Sequence, residues 1–213
     1  MTGSLSAISF FVILYKKKLL MSQKKRLAVF ASGTGTNFEA IATACERGQI
    51  PAEVALLVCD KPAAAVVERA ARHGVEVFAF QPKSFPSKAD MENAIADELD
   101  QRGIDWVCLA GYMRIITDTL LSRYGGRIIN IHPSLLPAFP GARAVEQALA
   151  YGVKVYGVTI HHVDQTVDGG RIIAQRAVPY EGHDIDELFR LVHAAEHELY
   201  PATIARLLAG EVS

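Results

Sequence analysis

Asn130 and His132 stand two positions apart in Asn130-Ile131-His132-Pro133-Ser134-Leu135-Leu136-Pro137, and Asp168 follows 36 positions after the histidine in Val167-Asp168-Gly169-Gly170. An amide, an imidazole and a carboxylate together can carry acyl-type transfer to an amine. Attack on a carbonyl builds negative charge on its oxygen, and each preorganised donor aimed at that oxygen lowers the barrier by roughly 3 to 4 kcal/mol. Asn130 and a protonated His132 offer two such donors. The leaving group must gain a proton and the attacking amine must lose one, a task that a positioned acid-base group accelerates by about 100- to 10,000-fold. His132, supported by Asp168 directly or through water, is the candidate proton carrier. Ser134 is not read as a nucleophile: Gly-x-Ser-x-Gly is absent, and a serine between Pro133 and Pro137 suits bonding to the turn backbone. Transfer is therefore expected to be direct, with no acyl-enzyme.

Those side chains need elements that bring them together. The run 127–132 reads as a strand, whose two-residue period puts Asn130 and His132 on one face, while Pro133, lacking an N–H, ends the ladder. Asp168 lies in a polar turn closed by two glycines, from which a carboxylate can fold back on the imidazole. Upstream, apolar runs of strand length alternate with helical patterns, the signature of βαβ units. Strands are expected at 26–31, 54–58, 75–80 and 106–110, with helices at 37–47, 63–73 and 89–102 and a short helix capped by Thr117 and running to Tyr124. Beyond Pro140-Gly141 the pattern changes to a short helix at 145–151, an antiparallel strand pair at 155–163 and 171–178, and a long amphipathic helix at 184–208. The expected fold class is α/β: a mainly parallel, Rossmann-like open sheet with an antiparallel C-terminal portion and helices on both faces.

The 213 residues, 50% of them apolar, suffice for one sizeable core, and residues 21–213 are expected to form a single domain. A net charge of −1 gives no general electrostatic reason to bind nucleic acid or an anionic membrane, which leaves small molecules as the expected partners. Cys45, Cys59 and Cys108 lack Cys-x-x-Cys spacing, which argues against a disulfide framework or a zinc knuckle and suits a reducing cytoplasm. The apolar run 6–15 is followed by Lys16-Lys17-Lys18 and is shorter than the roughly 20 residues that span a bilayer. Residues 1–20 are expected to be a non-core extension, with Met21 as the functional start; a weak membrane-surface anchor is the alternative.

Gly33-Thr34-Gly35-Thr36-Asn37 falls between the first strand and first helix, where free N–H groups and the helix dipole favour a phosphate. It lacks the third glycine of a dinucleotide fingerprint and the Gly-Lys-Ser/Thr ending of an ATP loop. On position alone, an ordinary tight turn with Thr36 as cap is the simpler reading. If the loop does cradle an anion, a bulky residue at position 35 is expected to obstruct that anion alone. No metal site is expected: His161 and His162 are adjacent in a strand and point to opposite faces, so they cannot readily share an ion with Asp164.

The Asn-x-His-Pro-Ser-Leu-Leu-Pro segment with its following Asp-Gly-Gly resembles the phosphoribosylglycinamide formyltransferases of purine biosynthesis. So do Ala31-Ser32-Gly33-Thr34-Gly35-Thr36-Asn37, Leu109-Ala110-Gly111-Tyr112-Met113-Arg114-Ile115, Gly157-Val158-Thr159-Ile160-His161 and Glu196-His197-Glu198-Leu199-Tyr200-Pro201. The likeness runs from about Arg26 to the C-terminus. It implies formyl transfer from 10-formyltetrahydrofolate, as co-substrate, to a phosphoribosylglycinamide amine by a cytoplasmic monomer or homodimer. By the same resemblance Gly35, Thr36 and Asn37 hold the acceptor's phosphate and Glu196 contacts the rest of the acceptor. The folate pocket takes Met113, Arg114, Ile115, Ile116, Asn130, Val163 and Val167, with Arg114 able to pair with a folate carboxylate. For Met113 and Val163, core packing is compatible with that role. Lys88 stands where relatives often carry an arginine for the folate tail, but lysine lacks the bidentate fork. His161 matches a family histidine that buttresses the site, whereas His162 replaces an aromatic and Arg143-Ala144-Val145 stands where histidines are common. Rival readings are a formyltetrahydrofolate hydrolase, a transfer-RNA formyltransferase and a non-catalytic folate- or nucleotide-binding module.

Overall fold

The computed structural model describes residues 24–212. The expected extension, 1–20, and the start at Met21 lie outside them. In β1 (Lys25–Phe30), Leu27 and Val29 pack into one apolar layer and Ala28 and Phe30 into another, so both faces of the strand are covered. Central strands of an α/β sheet therefore read as continuous apolar runs rather than as alternations. The chain continues through α1 (Thr36–Glu46), β2 (Ala52–Cys59), α2 (Ala65–Arg72), β3 (Glu76–Ala79), α3 (Lys88–Gln101), β4 (Trp106–Leu109) and α4 (Asp118–Tyr124). It ends with β5 (Ile128–His132), α5 (Ala144–Tyr151), β6 (Val155–His162), β7 (Ile172–Pro179) and α6 (Ile185–Leu208). The alternation matches the expected elements, with ends shifted by one or two residues.

The seven strands form one sheet in the order β3-β2-β1-β4-β5-β6-β7. β1, β2, β3, β4 and β5 pair in parallel; β6 runs antiparallel to β5, and β7 to β6. Helices α1, α2, α5 and α6 contribute Phe38, Val66, Val145 and Leu188 to one core layer, while α3 and α4 contribute Ile95 and Leu120 to the other. The expected mixed sheet with helices on both faces is therefore present. Tyr200 of α6 is fully buried, and its hydroxyl lies 3.0 Å from the Leu109 carbonyl and 3.2 Å from that of Ile129, fastening the helix to β4 and β5.

Two helix starts show how tertiary contacts replace local ones. Thr117 precedes α4 as expected but makes no side-chain cap of its own. Glu92 of α3, only 1% exposed, accepts instead from the backbone N–H groups of Thr117 (3.0 Å) and Leu120 (3.2 Å) and from the Thr117 hydroxyl. Likewise Gly35, not Thr36, is the cap position of α1, and no side chain caps that helix.

The strand order reverses between β1 and β4, and the crevice beyond the carboxyl ends of such a pair is where open α/β sheets bind ligands. The Ser32 N–H donates to the Gly111 carbonyl (3.1 Å), and the Met113 N–H donates to Ser32 Oγ (2.9 Å). These bonds place the loops after β1 and β4 side by side at the switch point.

Candidate active site

Asn130 and His132 leave the carboxyl end of β5 on the same face, as the strand period requires. Asp168 reaches them from the turn after β6, with its backbone in the left-handed region at φ 52°. A non-glycine residue held there stores strain that the surroundings must overcome, and such positions cluster at functional sites. The close approach of that turn depends on Gly170, where a Cβ would fall 1.8 Å from the His162 carbonyl oxygen. Asp168 Oδ2 accepts the Gly141 N–H at 2.7 Å and lies 3.4 Å from His132 Nδ1, an ion-pair distance. Its Oδ1 lies 3.6 Å from His161 Nε2. The Asp168 carboxyl is held below the usual carboxylate range by His161 first, with burial opposing and the Gly141 N–H and His132 adding to the depression.

The ring nitrogens have defined tasks. His132 Nε2 sits 2.9 Å from the Phe139 carbonyl, which accepts only, so that nitrogen carries a proton and Nδ1 is the one that faces Asp168. His161 Nδ1 lies 2.8 Å from the His162 carbonyl, and its Nε2 lies 3.1 Å from Asn130 Nδ2, between that amide and Asp168. His161 thus holds the Asn130 side chain in place at the end of β5. His162 points the other way, with its ring 6.3 Å from that of Trp106. Ser134 Oγ donates to the Ala138 carbonyl at 2.6 Å, the turn bond expected of it. Among the described residues, no group of three or more His, Cys, Asp and Glu side chains is arranged to hold a metal.

Between β1 and α1, the N–H groups of Thr34, Gly35, Thr36 and Asn37 have no acceptor among the described residues. Asn37 Nδ2 donates to Glu196 Oε2 at 2.9 Å, and Asn37 Oδ1 is buried without a partner. Glu196 is only 5% exposed, and burial pushes its carboxyl pKa up against the opposing Asn37 bond. A groove of about 690 Å³ opens beside this loop, lined by Thr36, Glu39, Arg69 and His197 among others, but by none of Asn130, His132 or Asp168. The expectation for position 35 needs correcting. Gly35 has φ 77° and a Cβ there would lie 2.3 Å from Val66 Cγ2, so a larger residue strikes α2.

The residues expected to bind folate separate into three groups. Met113 (72% exposed), Ile115 (61%) and Val167 (52%) leave large apolar surfaces in solvent, so core packing is not the role of Met113. Ile116 is buried in the second core layer, and Val163 is partly buried against that layer. The Gln165 amide donates to Asp118 at 2.9 Å and the Val163 N–H to the Ile128 carbonyl at 3.0 Å, which hold the 163–168 loop beside α4 and β5. Arg114 does not stand free: its Nε donates to the buried Asp60 at 2.9 Å, leaving only the rest of the guanidinium for another carboxylate. Lys88 is exposed at the first position of α3. Asp60, the Phe139 carbonyl and the Gly141 N–H were not expected at the site; only the Pro140-Gly141 turn signal hinted at the last two.

A mixed sheet with a switch-point crevice, an uncapped helix start and a converging amide, imidazole and carboxylate defines an α/β enzyme of group transfer. Residues 25–204 match the formyl transferase family model, and the chain belongs to that family. It is 53% identical to the phosphoribosylglycinamide formyltransferase of Bacillus subtilis (strain 168), over 86% of this chain and 95% of that protein. Among solved structures, glycinamide ribonucleotide transformylase 1 from Geobacillus kaustophilus superposes with a TM-score of 0.85 at 58% identity, over 87% of this chain and 100% of that one. Phosphoribosylglycinamide formyltransferase from Bacillus halodurans does so with a TM-score of 0.85 at 54% identity, over 88% and 97%.

Proposed function

We propose that this chain is a phosphoribosylglycinamide formyltransferase, moving the formyl group of 10-formyltetrahydrofolate to the amine of phosphoribosylglycinamide in cytoplasmic purine biosynthesis, with residues 21–213 as the working unit. The observation that carries the reading is the convergence of Asn130, His132 and Asp168 at the carboxyl end of β5, beside the crevice, in a member of the formyl transferase family.

The acceptor amine attacks the formyl carbon, a C–N bond forms, and the bond to the folate nitrogen breaks. One proton passes from the amine to that departing nitrogen. The Asn130 amide and an N–H of His132 donate to the developing oxyanion. In this structure the His132 Nε2–H is held by the Phe139 carbonyl, which gives way to the formyl oxygen in the working complex. Asp168 stays ionised 3.4 Å from His132 Nδ1 and orients the ring, so His132 presents a proton close to the reacting nitrogens. Gly35, Thr36 and Asn37 take the acceptor's phosphate on their N–H groups, and Glu196 takes a polar group of its body. Met113, Ile115, Ile116, Val163 and Val167 enclose the pterin, with Arg114 and Lys88 towards the folate tail. The partners are small molecules, and the protein works as a monomer or homodimer.

The test is to mix purified protein with 10-formyltetrahydrofolate and follow tetrahydrofolate with and without phosphoribosylglycinamide. Release that requires the amine is expected. Equal release without it would replace transfer by hydrolysis.

A further inference from the structure

We infer that Arg69 of α2 is a positioning residue for the acceptor's anionic end, because it fixes the peptide whose N–H must face the phosphate. The inference rests on the proposed assignment of the 33–37 loop to that phosphate.

In a trans peptide, the carbonyl of one residue and the N–H of the next point in opposite directions. Two successive peptides of the loop are pinned by α2 through their carbonyls. The Val66 N–H donates to the Gly33 carbonyl at 3.1 Å, and Arg69 Nε donates to the Thr34 carbonyl at 2.7 Å. The N–H groups of Thr34 and Gly35, on the far sides of those peptides, are therefore aimed away from α2. They join those of Thr36 and Asn37 as the open donors at the start of α1. Helix α2 thus works as a template that sets the direction of the donors without touching their ligand.

The two pins differ in what could replace them. The Val66 bond belongs to the backbone, and Gly35 lies so close to Val66 that a Cβ there would fall 2.3 Å from Val66 Cγ2. The Arg69 bond is a side-chain bond to a peptide that adjoins a glycine, the residue that most easily permits a peptide to turn over. Arg69 is itself braced: its NH1 donates to Glu39 Oε2 at 3.0 Å, and Glu39 Oε1 lies 3.0 Å from His73 Nε2, whose Nδ1 lies 2.6 Å from Glu46. The loop segment 33–37 contains no lysine or arginine, so Arg69, on the rim of the adjoining groove, also places a positive charge next to the open donors. A planar guanidinium can serve the carbonyl and the carboxylate at once; an ammonium cannot reproduce that fork.

Three variants separate direction from charge: Arg69→Ala, Arg69→Lys and Arg69→Gln, each first shown to keep the wild-type circular dichroism spectrum. Steady-state assays should give Arg69→Ala a KM for phosphoribosylglycinamide raised about 10- to 100-fold, the range of a lost charge-assisted hydrogen bond. Its kcat and its KM for 10-formyltetrahydrofolate should stay within about twofold of wild type. Arg69→Lys should recover only part of the affinity and Arg69→Gln, which keeps a donor for the carbonyl, a comparable part. Unchanged acceptor KM in an active Arg69→Ala protein, or equal rises for both substrates, overturns the inference. A second reading is independent of turnover: titration with ribose 5-phosphate should shift the amide resonances of Gly35, Thr36 and Asn37 in the wild type and much less in Arg69→Ala. Shifts that are present and Arg69-dependent in a protein without transferase activity would sink the proposed function and leave this inference standing. Absent or Arg69-independent shifts would sink the inference itself.

Discussion

At Asp168 the backbone is bent into the left-handed region, and the carboxylate meets an N–H and two imidazoles. Asparagine at 168 keeps the size of the side chain and an acceptor for Gly141 but removes the charge facing His132. Asp168→Asn is therefore expected to lower kcat by about 100- to 10,000-fold with folate affinity nearly unchanged. Rapid-quench turnover beside fluorescence titration of folate checks this, and near-normal turnover in a folded variant rejects the assignment. Position 35 behaves differently. Gly35→Val drives a Cβ into Val66 at a positive φ, so the expected outcome is a lower melting temperature and weaker binding of both substrates rather than of the acceptor alone. Calorimetry of each ligand together with a melting curve would show it, and an intact melting temperature would contradict the clash.

Among the elements, the strut between α1 and α2 gives a pH prediction with a definite sign. His73 is raised above the ordinary histidine value chiefly by its bond to Glu46, and Glu39 is lowered below the ordinary glutamate value chiefly by His73. A raised histidine contributes stability that is fully present below its unfolded pKa of about 6.5 and is lost as pH climbs through the folded value. A lowered glutamate contributes stability present above its unfolded pKa of about 4.3 and lost as pH falls through the folded value. The strut is thus tightest between those limits. Melting temperatures of wild type and His73→Gln should converge as pH rises from 6 towards 9, and a constant gap would remove the histidine charge from the account. A second element, α4, hangs on a carboxylate from α3. Glu92→Ala leaves the Thr117 and Leu120 N–H groups without that acceptor and is expected to cost about 3 kcal/mol, or roughly 6 to 12 °C in Tm.

These two elements also mark where reading the chain stops. The βα alternation, the antiparallel end and the shared face of Asn130 and His132 follow from local periodicity and were legible residue by residue. The polar turn closed by Gly169 and Gly170 pointed to Asp168, whereas family motifs added Glu196 and the anion role of the 33–37 loop, which position alone left as a plain turn. Glu92 as the cap of α4 and Arg69 on the Thr34 carbonyl were not legible. Each joins a side chain to a backbone group of another element, 25 and 35 positions away, and no local spacing records such a pairing. Arg114 shows the same limit: its charge suggests a free ligand group, yet the buried Asp60 already engages it.

For the whole molecule, the site is assembled from the full length of the chain. The 33–37 loop follows the first strand, Asn130 and His132 end the fifth, Asp168 follows the sixth, and Glu196 belongs to the last helix, 159 positions from its partner Asn37. The same helix is fastened to the end of β4 and the start of β5 by Tyr200. Bringing such distant segments together costs loop-closure entropy before any contact rewards it, so topologies of this kind complete themselves late. The consequence is one of timing: on refolding from urea, far-ultraviolet ellipticity should recover ahead of transferase activity, with the last helix setting the lag. Tyr200→Phe, which keeps the ring and removes the hydroxyl, should lengthen that lag more than it slows the first phase. Ellipticity and activity returning together would show that the helix docks early. If the lag is real, half-folded chains cannot consume the folate co-substrate, and chemical competence itself reports that the last helix has docked.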